Sequence, residues 1–152
     1  MWSSQIDDAV EKLEPLSLFY KGCITLDKIP ININEDEFFF VNTLTSKESQ
    51  LNKCGHWLLV WKEGNCVNVY DSLGNLEDSF LKHFQNEKKI QISSSQTMPK
   101  RADKCGNFCL YVAFECLMNP ELEFCELLKV LFSRDLEKNE LNVINFCKEF
   151  KI

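Results

Sequence analysis

Apolar residues near the start of the chain recur at helical spacing. Between positions 4 and 13 they fall on one face, which predicts an amphipathic α-helix. That face consists of Ile6, Ala9, Val10 and Leu13. Ser4 with Asp7 three positions later resembles a capping box, and Pro15 lies just beyond the predicted end. We therefore expect the chain to open with a short helix that packs by one face.

Short runs of β-branched, aromatic and aliphatic residues dominate the middle of the chain and predict β-strands. These runs are 22–26, 37–43, 56–61, 66–70 and 89–93. The third and fourth runs are joined by Lys62-Glu63-Gly64-Asn65, whose glycine suits a turn, so together they predict a β-hairpin. Asn75 is a candidate N-cap for a short helix that ends near Phe84.

Helical patterns dominate the last third of the chain. From Gly106 onward the residues are apolar on nearly every face, which predicts a helix buried on most sides. Asn119 would end it, Pro120 would begin the next helix, and a last amphipathic helix is expected near 135–150. This order of elements predicts an α+β fold in which a mostly antiparallel sheet packs against a central buried helix.

Composition agrees with one compact unit. The 152 residues are 45% hydrophobic and include 12 Phe, and no linker or internal repeat interrupts them, so we expect a single domain over 1–152. The net charge of −6 argues against nucleic acid as a partner. Two short basic clusters, Lys88-Lys89 and Lys100-Arg101, are typical of solvated loops and strand ends. No apolar run reaches the ~20 residues of a membrane span, so no membrane partner is expected.

Eight cysteines raise the question of disulfides or metal ligands. The polar start of the chain does not resemble a secretory leader, and several cysteines fall within apolar helical patterns, so we expect reduced thiols and an intracellular location. Cys105 and Cys109 would share a helix face as a possible metal pair, but no paired Cys/His motif complements them. We therefore expect neither a metal site nor a cofactor.

Cys105 is the candidate nucleophile. It stands directly before the most hydrophobic helix of the chain, where free N–H groups and the helix dipole stabilise a thiolate. The adjacent Gly106 would let a substrate approach the backbone closely. The alternative is a buried cysteine without chemistry, which is the interpretation we favour for the other cysteines.

Two further polar residues lie at the ends of the hairpin strands. His56 opens one strand and Asp71 follows the other, so an antiparallel pairing would bring them nearly opposite each other. A carboxylate there can fix the tautomer of the imidazole and stabilise its protonated form. The alternatives are a structural histidine and an ordinary Asp-Ser-Leu-Gly turn. Gln96, in the loop before Cys105, could donate an amide N–H to an oxyanion together with the Cys105 backbone, or be a plain polar loop residue.

These residues resemble a known family when taken in order. The segments that carry the resemblance are Gly55-His56-Trp57, Val69-Tyr70-Asp71-Ser72-Leu73-Gly74, Gln96 and Cys105-Gly106-Asn107-Phe108-Cys109. They are similar to the adenovirus protease (adenain) group of cysteine peptidases, whose clan also includes the SUMO and NEDD8 proteases. Three upstream segments, 20–23, 26–30 and 40–43, resemble the front half of such proteins from viruses and virus-like transposons. The resemblance covers about 18–115.

The resemblance implies a papain-like cysteine endopeptidase of the adenain/SUMO-protease type. Cys105 would be the nucleophile, His56 the general base and acid, Asp71 its orienting group, Gln96 an oxyanion-hole donor and Trp57 a substrate-binding residue beside the base. Gln96 precedes Cys105 by nine positions, farther than is usual for the family, which indicates that Pro99-Lys100-Arg101 is an insertion.

The expected substrate of such an enzyme is a polypeptide, cleaved after Gly or another small residue, such as a viral or virus-like capsid precursor. The implied setting is a host cytoplasm or nucleus, or a virion, and we expect a monomer. Activation by DNA and a viral peptide is not carried over, because the chain is acidic and shorter, and any activating peptide is unknown. Two alternatives stay open: a protease acting on ubiquitin-like tails, and a catalytically inactive binding domain.

Overall fold

The computed structural model describes residues 1–51 and 55–152. Its α-helices are α1 (Ser3–Lys12), α2 (Glu14–Ser17), α3 (Ser46–Ser49), α4 (Cys105–Met118), α5 (Phe124–Leu131) and α6 (Leu136–Phe150). Its strands are β1 (Tyr20–Thr25), β2 (Phe38–Asn42), β3 (Trp57–Glu63), β4 (Cys66–Tyr70) and β5 (Lys89–Ile92), and 3₁₀ helices span Leu26–Lys28 and Asp78–Phe84. The predicted opening helix, strands, buried helix and last helix are all present.

The strands form one sheet, with five strands within the described residues and the order β1-β2-β3-β4-β5. The three central strands are antiparallel, and each edge strand runs parallel to its neighbour. The α+β class is therefore confirmed, but the sheet is mixed where the sequence predicted a mostly antiparallel one. The difference arises because the chain crosses over through a 3₁₀ helix on the way from β1 to β2 and again from β4 to β5, which makes each pair parallel.

The predicted hairpin is formed by β3 and β4. Glu63 pairs with Cys66 across the two-residue loop Gly64-Asn65, and Leu59 pairs with Tyr70 near the far end. Gly64 has a φ of +56°, the left-handed conformation that such tight hairpin loops require and that glycine adopts without strain. The turn thus fixes the register that places the two strand ends beside each other.

Both faces of the sheet are covered. Alternate residues of β3 point to opposite sides: Trp57 and Leu59 pack into the core beneath the helices, and Leu58 and Val60 pack into a second core. In the first core α4 is central, with α1, α2, α5 and α6 around it. The second core is closed by side chains from the 3₁₀ helix Asp78–Phe84 and from the loop before β2. The buried helix predicted from Gly106 is thus the hub of the larger core.

Three local predictions are wrong. The N-cap of α1 is Trp2, whose backbone N–H donates to the Gln5 side chain at 2.7 Å, so Ser4 lies inside the helix. The short helix expected from Asn75 begins only at Asp78 and is a 3₁₀ helix, and Asn75 lies in the turn after Asp71, to whose carboxylate its backbone N–H donates. Pro120 lies in the turn before α5, which begins at Phe124.

The sequence also predicted reduced cysteines and no membrane span. All seven cysteines within the described residues are free thiols, and Cys54 lies outside those residues. Among the helices of the described part, none is both long and apolar enough to cross a membrane.

Candidate active site

Cys105 is the first residue of α4 and is buried. Its sulfur lies under the start of β3, where the Trp57 backbone N–H donates to Sγ across 3.4 Å. The first-turn N–H groups of α4 have no intrahelical partners and point toward the same region. The Met1 side chain packs against Gly106, since a Cβ there would come within 2.9 Å of the Met1 sulfur. The start of α4 therefore places the Cys105 thiol beside backbone N–H groups that can donate to its sulfur.

His56 precedes β3 and is held by its main chain. Its backbone N–H donates to the Thr43 hydroxyl at 3.1 Å, and its carbonyl accepts the Thr43 backbone N–H at 2.9 Å. The ring atom Nε2 lies 2.7 Å from the Oδ1 atom of Asp71. That contact leaves Nδ1 as the ring nitrogen available to Cys105. The imidazole is thus fixed at one end and presented to the thiol at the other.

Asp71 follows β4 and is 1% exposed. Besides His56, its carboxylate accepts the backbone N–H groups of Leu73 and Asn75, each at 2.9 Å. Its own backbone N–H donates to the Ser93 hydroxyl at 2.8 Å. A buried carboxylate is costly unless it is paired and hydrogen-bonded, and here both conditions are met.

The hairpin register explains the reach between the two side chains. Because Leu59 pairs with Tyr70, continuing the ladder would set Asp71 opposite Leu58, two positions along from His56. His56 and Asp71 are therefore diagonal neighbours, a spacing that long side chains bridge, where the sequence predicted that they lie nearly opposite each other.

The three groups shift one another's protonation. Burial by itself would raise the pKa of the Cys105 thiol, but the neighbouring His56 imidazole and the Trp57 and Gly106 N–H groups outweigh it and lower that pKa. Burial would lower the pKa of His56, but contacts with Asp71 and Cys105 raise it to about 9. The pKa of Asp71 is lowered against its burial by His56 and the two backbone donors. All three shifts favour a thiolate beside an imidazolium and a carboxylate, a charge distribution suited to thiol-based acyl transfer.

Gln96 is placed differently from the other predicted site residues. It is half-buried, and its side-chain amide donates to the Met98 carbonyl oxygen at 2.7 Å. Its loop is joined to the Asp71 turn, because the Thr97 and Met98 backbone N–H groups both donate to the Ser72 carbonyl oxygen. The oxyanion role of Gln96 stays a prediction.

Two cavities flank the histidine–cysteine pair. One, of about 260 Å³, is lined by Cys105, Trp57 and the segment Met1-Trp2-Ser3 among others; we call it the thiol-side cavity. The other, of about 410 Å³, is lined by His56 and Asp71 and is here called the histidine-side cavity. The predicted substrate-binding residue Trp57 is itself buried, and its indole N–H donates to the Met1 carbonyl oxygen at 2.9 Å.

Some contributors to this site were missed by sequence reasoning. The main residues are Thr43, which fixes the His56 backbone, Ser93, which binds the Asp71 backbone, and the segment Met1-Trp2-Ser3. None carries a local signal, because each acts on a residue that is distant along the chain. Within the described ranges, no group of three or more His, Cys, Asp and Glu side chains is arranged to hold a metal ion.

The arrangement of sheet and helices recurs in solved structures. No protein-family model matches the sequence, and no curated protein matches it either. ChlaDub1 from Chlamydia trachomatis aligns with a TM-score of 0.55 and 16% identity, over 99% of this chain and 76% of that one. The pS273R protease of ASFV aligns with a TM-score of 0.54 and 10% identity, over 91% of this chain and 63% of that one.

This chain shares its fold with ChlaDub1 and with the pS273R protease of ASFV. The resemblance inferred from the sequence motifs is therefore confirmed at the level of the fold. At such low identities the likeness concerns the fold alone, so substrate and residue roles have to be argued from the site itself.

Proposed function

We propose that the protein is a cysteine-type endopeptidase with Cys105 as nucleophile, His56 as general base and acid, and Asp71 as the group that orients His56. The observation that carries this proposal is the 2.7 Å contact between His56 and Asp71, next to a thiol whose pKa is lowered at the start of α4. A structural cysteine in the same core behaves oppositely: burial raises the pKa of Cys109 well above its ordinary value.

The geometry supports a two-step reaction. The Cys105 thiolate attacks the substrate carbonyl, a bond forms between Sγ and carbon, and the charge moves to the carbonyl oxygen. His56 donates its proton to the leaving nitrogen as the carbon–nitrogen bond breaks, which leaves a thioester. Water then gives a proton to His56 and attacks the thioester, releasing the acid and the thiolate. The N–H groups at the start of α4 would stabilise the oxyanion in both steps.

Gln96 would add a second oxyanion donor in this proposal. Its amide would have to exchange the Met98 carbonyl oxygen for the substrate oxygen, since the two acceptors compete for the same N–H group. Turning this side chain breaks a single hydrogen bond within one loop, so the role is compatible with the site.

The proposed substrate is a polypeptide cleaved after Gly or another small residue. The similarity of the motifs to adenain-type enzymes supports both the small residue at the scissile bond and the processing of viral or virus-like capsid precursors. The same chemistry would release ubiquitin-like modifiers from their tails. Profiling with capsid-like peptides and with ubiquitin-like protein substrates distinguishes the two activities.

Covalent labelling tests the proposal. We would treat the reduced protein with a glycine-ending peptide electrophile and locate the adduct by mass spectrometry. An adduct that Cys105→Ala abolishes and Cys109→Ala retains would support the assignment, since Cys109 is a buried thiol on the same helix. If folded wild-type protein forms no adduct and cleaves no small-residue peptide, the fold serves as a binding domain.

A further inference from the structure

The loop before the nucleophile, 99–104, contains the segment that the sequence indicated as an insertion, and it directs its charged side chains to different sides. Arg101 pairs with Glu137 and Glu140 of α6. Lys104 lines a separate cavity of about 310 Å³ together with residues of α6. Both of these basic side chains therefore lie on the α6 side of the loop.

Asp103 lies on the other side of the same loop. It is exposed and lines the thiol-side cavity together with Cys105, two positions further along the chain. Within residues 1–51 and 55–152 its carboxylate has no hydrogen-bond or ion-pair partner, and no other charged side chain lines that cavity. The neighbouring Ala102 is buried, and its N–H donates to the Pro99 carbonyl oxygen at 2.9 Å. An unpaired carboxylate thus faces the cavity from an anchored loop.

The acyl part of a peptide substrate would occupy this cavity. During the proposed reaction the acyl part stays attached to Cys105, while the leaving amine takes a proton from His56. Cys105 lines the thiol-side cavity, whereas His56 lines the histidine-side cavity. The substrate residues that precede the scissile bond are therefore the ones that pass Asp103.

We propose that Asp103 is a specificity-determining residue that selects polypeptides with Lys or Arg shortly before the cleaved bond. This inference rests on the proposed function. A carboxylate in the same cavity as a thiolate is electrostatically unfavourable, and a substrate cation bound there offsets that cost. An acidic substrate side chain at the same place would be repelled. Because Asp103 is exposed, water screens the attraction and the preference is modest in size.

The test uses fluorogenic peptides that end in glycine and carry Lys, Ala or Glu at one of the three positions before that glycine. For wild type, we expect Lys at the best position to raise kcat/KM about threefold to fivefold over Ala, and Glu to lower it by a similar factor. The effect should lie in KM, because the ion pair is the same in the ground state and the transition state. Raising the salt concentration to about 1 M should reduce the preference.

Substitutions assign the preference to one residue. Asp103→Asn should make the Lys, Ala and Glu peptides equivalent, and Asp103→Lys should reverse their order. Asp36→Asn is the matched control and should keep the wild-type preference, since Asp36 is an exposed turn residue that lines neither the thiol-side nor the histidine-side cavity. If wild type cleaves the Lys and Glu peptides equally well, or if Asp103→Asn keeps their difference, the role of Asp103 is overturned while the peptidase stands.

A binding measurement separates this inference from the proposed function. In a Cys105→Ala background, the Lys peptide should bind more tightly than the Glu peptide in fluorescence anisotropy, and adding Asp103→Asn should abolish the difference. If wild type cleaves none of the peptides but this difference in binding is present, the peptidase is rejected and Asp103 still selects basic polypeptides. If turnover and the difference in binding are both absent, both proposals fail.

Discussion

The Nε2 atom of His56 lies 2.7 Å from Oδ1 of Asp71, although the two residues sit diagonally across the end of a hairpin. The contact directs the other ring nitrogen toward Cys105 and joins a carboxylate, an imidazole and a thiol that come from three different segments.

Replacing the carboxylate should uncouple the base from the nucleophile. We expect Asp71→Asn to lower kcat by roughly 10²- to 10⁴-fold, the range attributed to general acid–base catalysis. The amide keeps the shape of the side chain but no longer stabilises the imidazolium. Asp135→Asn is the matched control, because Asp135 caps α6 and asparagine caps a helix about equally well. The kcat values of both variants are measured by steady-state kinetics. If kcat of Asp71→Asn equals that of Asp135→Asn, Asp71 has no role in the mechanism.

The pH dependence of thiol alkylation should reveal the charge pair. The pKa of Cys105 is lowered from 9.0, so we expect its reaction with iodoacetamide to rise with pH through a midpoint below 9.0. His56→Ala should move that midpoint upward, because the positive neighbour is gone and burial remains. Since the pKa of His56 is raised to about 9, peptidase activity should fall again near that pH as the imidazolium loses its proton. A wild-type alkylation midpoint at or above 9.0 would contradict the charge pair.

Gly74 should be far less replaceable than Gly64. Both have left-handed backbones, with φ of +63° and +56°, so alanine is strained at either site by about 1–2 kcal/mol. At Gly64 nothing lies within 4 Å of the added Cβ, whereas at Gly74 it would meet the Ser95 carbonyl carbon at 2.4 Å. We expect Gly74→Ala to lower the free energy of unfolding clearly more than Gly64→Ala, as measured by urea denaturation. If the two variants lose the same free energy of unfolding, the loop at Ser95 moves away from the added Cβ without an energetic penalty.

Gly74→Ala should also reduce activity in protein that remains folded. The turn that contains Gly74 holds Asp71 on one side and abuts the loop of Gln96 on the other. Displacing that turn would move the carboxylate away from His56, so kcat should fall while Gly64→Ala keeps wild-type kcat. Activities are compared below the unfolding transition of each variant.

Removing the Gln96 amide should affect the transition state and not the thiol. If Gln96 donates to the oxyanion, Gln96→Ala lowers kcat by about 10²- to 10³-fold and leaves the alkylation rate of Cys105 unchanged. Gln91→Ala serves as the control, since the Gln91 amide contacts Cys125, away from the proposed site. Wild-type kcat in Gln96→Ala would assign the oxyanion to backbone donors alone.

Much of this architecture could be predicted because its signals are local. The all-round apolar pattern after Cys105 predicts the buried helix, and Gly64 between two β-prone runs predicts the hairpin. The direction of the edge strands could not be predicted, because a parallel pair depends on where a long connection returns, and no residue pattern encodes that. The diagonal offset of His56 from Asp71 was missed for a related reason: the loop has two residues where the sequence predicted four, which shifts the pairing by two residues.

The contacts that complete the site are harder to predict, since they join segments far apart in sequence. The packing of Met1 onto Gly106 spans more than a hundred residues, and the capture of the Gln96 amide by Met98 depends on how a loop folds back. Resemblance to a family carries residue roles to matching positions, but it carries no information on an insertion such as the one expected before Cys105.

Trp57 connects the two halves of the site through its own main chain. Its N–H donates to the sulfur of Cys105, and its carbonyl oxygen accepts from the Cys109 thiol at 3.4 Å, so one residue of β3 is bound to two successive turns of α4. The nucleophile therefore acquires its low pKa only when helix and hairpin have docked. In a refolding chain, an increase in the reactivity of the Cys105 thiol would therefore report the docking of α4 onto the hairpin, the last step in the assembly of the site.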